Sequence, residues 1–95
     1  MEEESLGIGR GNDPPRLCEL ARTLGCNVHR LRRKQRLHKY VLSDMAGVSR
    51  PYLNAIERGM ADVRLSTVQD LADALCVSPI ELLLDLHFSS EDHEV

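Results

Sequence analysis

Little in this chain is arranged for covalent or metal chemistry. It holds no glycine-rich phosphate loop, no paired carboxylates and no nucleophile beside a base, and so it reads as no enzyme. Cys18, Cys26 and Cys76 form no C-x-x-C pair and cannot all pair among themselves; the simplest expectation is free thiols buried as small hydrophobes. Cys26, His29 and His38 can be drawn as a metal set, but they lack a fourth ligand and paired spacing, so His29 and His38 read as surface residues and no cofactor is expected. The cationic side chains are more informative. Eleven of the twelve Lys and Arg fall between positions 16 and 64, against four acids, a net of +7. Residues 1–15 carry −3 and residues 65–95 carry −7, for −3 in all. A basic middle between acidic ends is a directed field whose natural partner is a polyanion. Within that middle lies Ser49-Arg50-Pro51-Tyr52, followed by Asn54 and Ala55. A guanidinium such as Arg50 can bond O6 and N7 of one guanine together, and Pro51 and Ala55 can meet a thymine methyl. Tyr52 and Asn54 suit base edges or phosphate, and Arg58 and Arg64 suit phosphate.

Such side chains act only if regular elements hold them. Residues 1–13 combine acids with Gly7, Gly9, Gly11 and Asn12, the composition of a disordered acidic arm. Pro14-Pro15 can open a helix, and Leu17, Leu20, Ala21 and Leu24 recur at helical spacing. Gly25 reads as a helix stop and Asn27 as the N-cap of a second helix burying Val28 and Leu31, although one unbroken helix fits the same positions. A short helix of about 39–46 follows, with Leu42 and Met45 inward, and then Gly47, which permits a sharp turn. Ser49 caps a helix of about 50–58, Pro51 stands harmlessly in its first turn, and Gly59 ends it. Ser66-Thr67-Val68-Gln69 and Ser78-Pro79-Ile80-Glu81 have the form of capping boxes, opening a helix with Val68, Leu71, Ala72 and Leu75 and a last one of about 79–87. A domain is thus expected over 14–88, with residues 89–95 a flexible acidic tail. No strand pattern occurs, and the expected fold is all-α.

A short helix, a glycine turn and a capped helix with a polar outer face form the layout of a helix-turn-helix, here about 38–58. The sequence resembles the lambda-repressor/Cro-like (XRE) family of DNA-binding domains from about Asn27 to Leu83. The resemblance rests on Leu31-Arg32, Leu37, Leu42 through Ala46-Gly47-Val48-Ser49, and Leu53-Asn54-Ala55-Ile56-Glu57-Arg58-Gly59. It continues through Leu71-Ala72-Asp73-Ala74-Leu75, Val77-Ser78 and Glu81-Leu82-Leu83. It implies a compact five-helix domain, to which this chain adds an N-terminal helical segment.

The resemblance also implies roles. Ser49, Arg50, Pro51, Tyr52 and Ala55 fall where the family faces DNA, with Asn54 beside them. Arg32 and Glu57 fall where the family places a buried structural ion pair. At the start of the motif the family has Ser or Thr followed by Gln, which bind phosphate; here His38-Lys39 stands in their place. One motif reads few base pairs, so a homodimer on a palindromic site of double-stranded DNA is expected, with Ile80, Leu83, Leu86 and Phe88 at its interface. The function implied is a small repressor. An antitoxin with a protein partner and autoregulatory DNA binding, or an interaction module without DNA binding, are the alternatives. No run of apolar residues is long enough to span a bilayer, and the acidic start is unlike a signal peptide, so a cytoplasmic protein is expected.

Overall fold

A computed structural model describes residues 17–85, which contain five helices and no strand. They are α1 (Glu19–Lys34), α2 (Lys39–Ala46), α3 (Arg50–Glu57), α4 (Leu65–Leu75) and α5 (Pro79–Leu83). Helix α1 packs on α3 and α5, and α2 on α3 and α4, so the helices close around one aliphatic core. At its centre Val28, Leu42, Leu53, Ile56, Leu71, Leu75 and Leu82 are excluded from solvent. The expected all-α fold is the observed one. The acidic arm, Pro14-Pro15, the acidic tail, and Leu86 and Phe88 of the expected dimer surface lie outside the described residues.

Helix α1 runs through Gly25 without a break. Its first turn carries Glu19 and its last Arg32, Arg33 and Lys34, signs that suit the two ends of the helix dipole. Gly25 is therefore a point of close approach, where a Cβ would collide with the carbonyl oxygen of Ile56 and stand 3.0 Å from that of Glu57. Asn27 is not an N-cap. It is buried, and its amide donates to the carbonyls of Leu82 at 2.9 Å, Leu84 at 2.8 Å and Glu81 at 3.4 Å. These acceptors close α5, which stops at Leu83 rather than near 87, with Leu84 extended (ψ 137°).

Helices α1 to α4 all end in one device. An amide two or three residues past the helix reaches back five positions, Leu37 to Arg32, Val48 to Ser43, Met60 to Ala55 and Val77 to Ala72, at 2.9–3.0 Å. This is the Schellman closure, which requires a left-handed residue just before that amide. Gly47 (φ 72°) supplies it at the helix-turn-helix corner and Gly59 after α3, but Arg36 (φ 58°) and Cys76 (φ 60°) supply it elsewhere. A side chain in that region costs roughly 1–2 kcal/mol, so these two turns are held by the packing around them.

Three further expectations are corrected. Helix α4 begins at Leu65 with an extended Arg64 as its cap, which places Ser66 inside the first turn, where its hydroxyl cannot cap. Gln69 instead donates to Asp73 at 2.9 Å. In α2 the inner stripe is Leu42, Ser43 and Ala46, and Met45, some 200° round from Ser43 at 100° per residue, is exposed. All three cysteines are free but exposed: Cys26 lies on the outer face of α1, Cys18 precedes that helix, and Cys76 turns outward at its left-handed corner. The box at Ser78 does form, with Ile80 N–H donating to Ser78 Oγ and Ser78 N–H to Glu81 Oε1, both at 3.3 Å.

Candidate nucleic-acid interface

The turn between α2 and α3 determines what α3 presents. After Gly47, Val48 packs against the core and Ser49 adopts an extended backbone, its Oγ accepting from Tyr52 N–H at 3.1 Å. That bond satisfies one of the free amides of a helix start and fixes the direction in which α3 leaves the turn. Leu53 and Ile56 are buried, so the helix cannot rotate about its axis without exposing them. Ser49, Arg50 and Pro51 consequently stand exposed at its N-terminal end. The Arg50 side chain has no partner among the described residues. Tyr52 and Ala55 are half-buried and pack against the core, which leaves each one edge for contact outward. An open recess of about 410 Å³ separates the two helices, lined by Tyr40, Ser43, Asp44, Val48, Ser49 and Arg50.

The far end of α3 is anchored by charge. Arg32 Nε donates to Glu57 Oε2 at 2.7 Å and its Nη2 to Oε1 at 3.2 Å, a two-pronged pair with side chains 10 % and 4 % exposed. A third prong, Nη1, donates to the Leu37 carbonyl at 2.9 Å and so ties the α1–α2 turn to the pair. The exposed His29 adds its Nδ1–H to Glu57 Oε1 at 3.0 Å. Burial, the largest single influence on Glu57, pushes its carboxyl up. The hydrogen bonds and charges of Arg32 and His29 together outweigh it and hold the carboxyl below its ordinary value. Glu57 is thus an anion fixed at the base of α3.

At the start of α2, His38 is the extended N-cap, and its ring stacks on Tyr40 with centroids 5.7 Å apart and planes 6° from parallel. The Lys39 ammonium reaches from the start of α2 to α3 and donates to Asn54 Oδ1 at 2.6 Å. Lys39, which stands where the family binds phosphate, and Asn54, suited from the sequence to base edges or phosphate, are therefore joined. Arg58 and Arg64 are exposed beyond α3 and at the cap of α4. On α5, Ile80 is 65 % exposed while Leu83 is half-buried against the core.

Two functional residues escaped the sequence reading. His29 lies three positions before Arg32 and so on the same helix face, which could have marked it as a third member of the ion pair. Asn27 had no such signal, because its partners are main-chain carbonyls more than fifty residues away. Among the described residues no cluster of His, Cys, Asp or Glu could hold a metal, and no helix is long and apolar enough to cross a membrane.

Comparison with known proteins places this geometry in context. Residues 28–82, more than half of the chain, match the family model HTH_3, described as helix-turn-helix. The chain is 35% identical over 65 residues to the uncharacterized HTH-type transcriptional regulator y4dJ of Sinorhizobium fredii, covering 68% of this chain and 84% of that one. Among solved structures it resembles the restriction-modification controller protein C.AhdI from Aeromonas hydrophila, with TM-score 0.63 and 32% identity over 65% of this chain and 94% of that one. It also resembles the hypothetical transcription factor NHTF from Neisseria, with TM-score 0.67 and 30% identity over 70% of this chain and 76% of that one. For the clp gene regulator ClgR from C. glutamicum the TM-score is 0.68 and the identity 25%, over 76% of this chain and 94% of that one.

Proposed function

Because the chain belongs to the helix-turn-helix family HTH_3 and is a DNA-binding transcriptional regulator, we propose that it acts as a small homodimeric repressor on palindromic double-stranded operators. One observation carries this reading furthest. The exposed first turn of α3, whose Arg50 has no partner among the described residues, projects from a helix fixed at its other end by the Arg32–Glu57 pair. A rigid helix that offers its N-terminal side chains can enter a major groove, which admits one α-helix. In this proposal Ser49, Arg50, Pro51, Tyr52, Asn54 and Ala55 face the bases. Arg58, Arg64 and the His38 end of α2 face the backbone on either side.

The dimer is proposed through α5, where Ile80 stands exposed beside Leu83, and Leu86 and Phe88, which follow in the sequence, are proposed to join it. A single motif buries too little surface and touches too few bases for tight selection, and two-fold pairing supplies the second half-site. Such a protein works in the cytoplasm, needs no cofactor and carries out no catalysis. The similarity to a restriction-modification controller supports a regulatory role.

The test is footprinting and gel shift on DNA upstream of the protein's own gene across a salt series, with sedimentation of the free protein. A protected palindrome and a micromolar or tighter dimer are expected. Binding indifferent to sequence would remove the regulator reading, and a monomer both free and on DNA would remove the dimer.

A further inference from the structure

We propose that Lys39 is a positioning residue for base recognition: it holds the Asn54 amide so that Asn54 presents hydrogen-bond donors to an acceptor-rich base edge, guanine O6/N7 or thymine O4. The inference rests on the reading of α3 as the groove-facing helix and deepens it.

The argument turns on the chemistry of one contact. Lys39 Nζ lies 2.6 Å from Asn54 Oδ1, a bond between the first residue of α2 and the second turn of α3. An ammonium carries three donors and no acceptor. The amide atom that meets it must be the oxygen, so the contact itself decides which way round Asn54 sits. The Nδ2 group, with two N–H donors, then points away from Lys39. Asn54 stands four residues after Arg50 and so on the same face of α3. Both side chains meet whatever that face meets.

This orientation has a consequence for base preference. An asparagine reads adenine by accepting from N6 and donating to N7 at once, which requires a free oxygen beside the amide nitrogen. Here an ammonium already holds one of that oxygen's two lone pairs, and its positive charge opposes the approach of a second donor. Guanine shows two acceptors in the major groove and thymine one, and a donor-only face suits both. Lys39 is committed to Asn54 instead of standing as an independent phosphate clamp, which revises the role expected for it from the sequence. The other acceptor the Nδ2 group could meet is a phosphate oxygen, and the experiment separates the two.

Selection of bound sequences from a randomised duplex library, with affinities measured across salt, is carried out on the whole chain and on four variants: Lys39→Ala, Lys39→Gln, Asn54→Ala and Lys39→Ala/Asn54→Ala. Lys39 and Asn54 are exposed and half-buried, and a thermal melt of each variant confirms folding. Lys39→Ala should lose about tenfold discrimination at one base position per half-site and gain adenine there, since the freed amide can now pair both its atoms. Asn54→Ala should lose preference at the same position, and the double variant should lose no more there. Lys39→Gln, which keeps a donor but not the charge, should restore the preference.

Three results would overturn the proposal. One is a uniform fall of Lys39→Ala on every sequence with a salt slope shallower by roughly 0.9, the mark of a phosphate clamp. Another is failure of Lys39→Gln to restore the preference. The third is an Asn54→Ala loss that is equal on all sequences, which places the amide on a phosphate. If instead the unaltered chain enriches no motif at all, the groove-facing reading of α3 fails first, and this inference falls with it.

Discussion

Replacing Arg32 by Met tests most directly what fixes α3. The substitution keeps the apolar stem in place but removes three bonds, two to the Glu57 carboxylate at 2.7 and 3.2 Å and one to the Leu37 carbonyl at 2.9 Å. Glu57 then remains a buried anion, its side chain 4 % exposed, with only His29 beside it. Removing one partner of a buried pair costs about 3–5 kcal/mol. His29 offsets part of that loss, and the unpaired Leu37 carbonyl adds roughly 1 kcal/mol, so about 3 kcal/mol is expected. A small domain has only about 5–15 kcal/mol in total. At roughly 4–8 °C per kcal/mol the melting temperature should fall by about 12 °C or more.

Urea and thermal unfolding at neutral pH measure this, and a double-mutant cycle with Glu57→Leu isolates the pair. Each single variant should be severely destabilised, and Arg32→Met/Glu57→Leu should lie no lower than the worse single, because two apolar groups leave no orphan charge. Strictly additive losses, or a cost of Arg32→Met below about 1 kcal/mol, would show that the ion pair does not anchor α3. The same pair sets an acid limb. The folded carboxyl of Glu57 is depressed, so its contribution is complete above its unfolded pKa of about 4.3 and drains away as the pH falls through the lower folded value. Glu57→Leu should therefore flatten the pH dependence of stability below about pH 4.3; an unchanged slope there would assign the acid limb to other carboxylates.

Gly25→Ala should destabilise by about 1–3 kcal/mol despite alanine's better helix propensity, since the added Cβ meets backbone oxygens of Ile56 and Glu57 that cannot step aside; a neutral or raised melting temperature would show that α1 and α3 can separate freely. Asn27→Asp should cost more than Asn27→Ala in urea midpoint, because a carboxylate would face the carbonyls of Leu82 and Leu84 with no proton to give; the reverse order would place the amide's contribution elsewhere. Arg50→Ala should relax selection at one base position per half-site by about tenfold, read by library selection; an equal loss on all sequences would make Arg50 a phosphate contact.

The fold was legible where a local rule decides it. Gly47, Ser49, Pro51 and Gly59 encode the turn and both ends of α3 in four residues, and the structure uses all four as read. The errors lie where one residue type serves two purposes. Glycine allows a left-handed stop and also allows two backbones to touch, and at Gly25 the second use applies. Asparagine caps a helix start through its oxygen and can equally cap a distant helix end through its nitrogen, as Asn27 does. Arg36 and Cys76 carry left-handed turns with no glycine to announce them. The Lys39–Asn54 contact was invisible for a similar reason: each residue alone suggests a DNA contact, and only the crossing of α2 over α3 brings them together.

The spacing along α1 explains why the motif can be short. Gly25, His29 and Arg32 stand four and three residues apart, one stripe of a helix, and all three meet the last turn of α3, through the Ile56 and Glu57 carbonyls and the Glu57 carboxylate. Asn27, on an adjoining face, holds the end of α5. A helix of eight residues has little stability of its own, so α3 keeps its direction because α1 grips its C-terminal end. The gripped end is buried and uncommitted to any ligand; the free end carries Arg50 and the capped amides. If α3 enters the groove as proposed, stability and base selection are divided between opposite ends of one helix. Substitutions at Gly25, Arg32 or Glu57 should lower affinity for all sequences in proportion to the unfolded fraction, while those at Arg50, or at the Lys39–Asn54 link, should alter which sequences are chosen in a protein that melts as before.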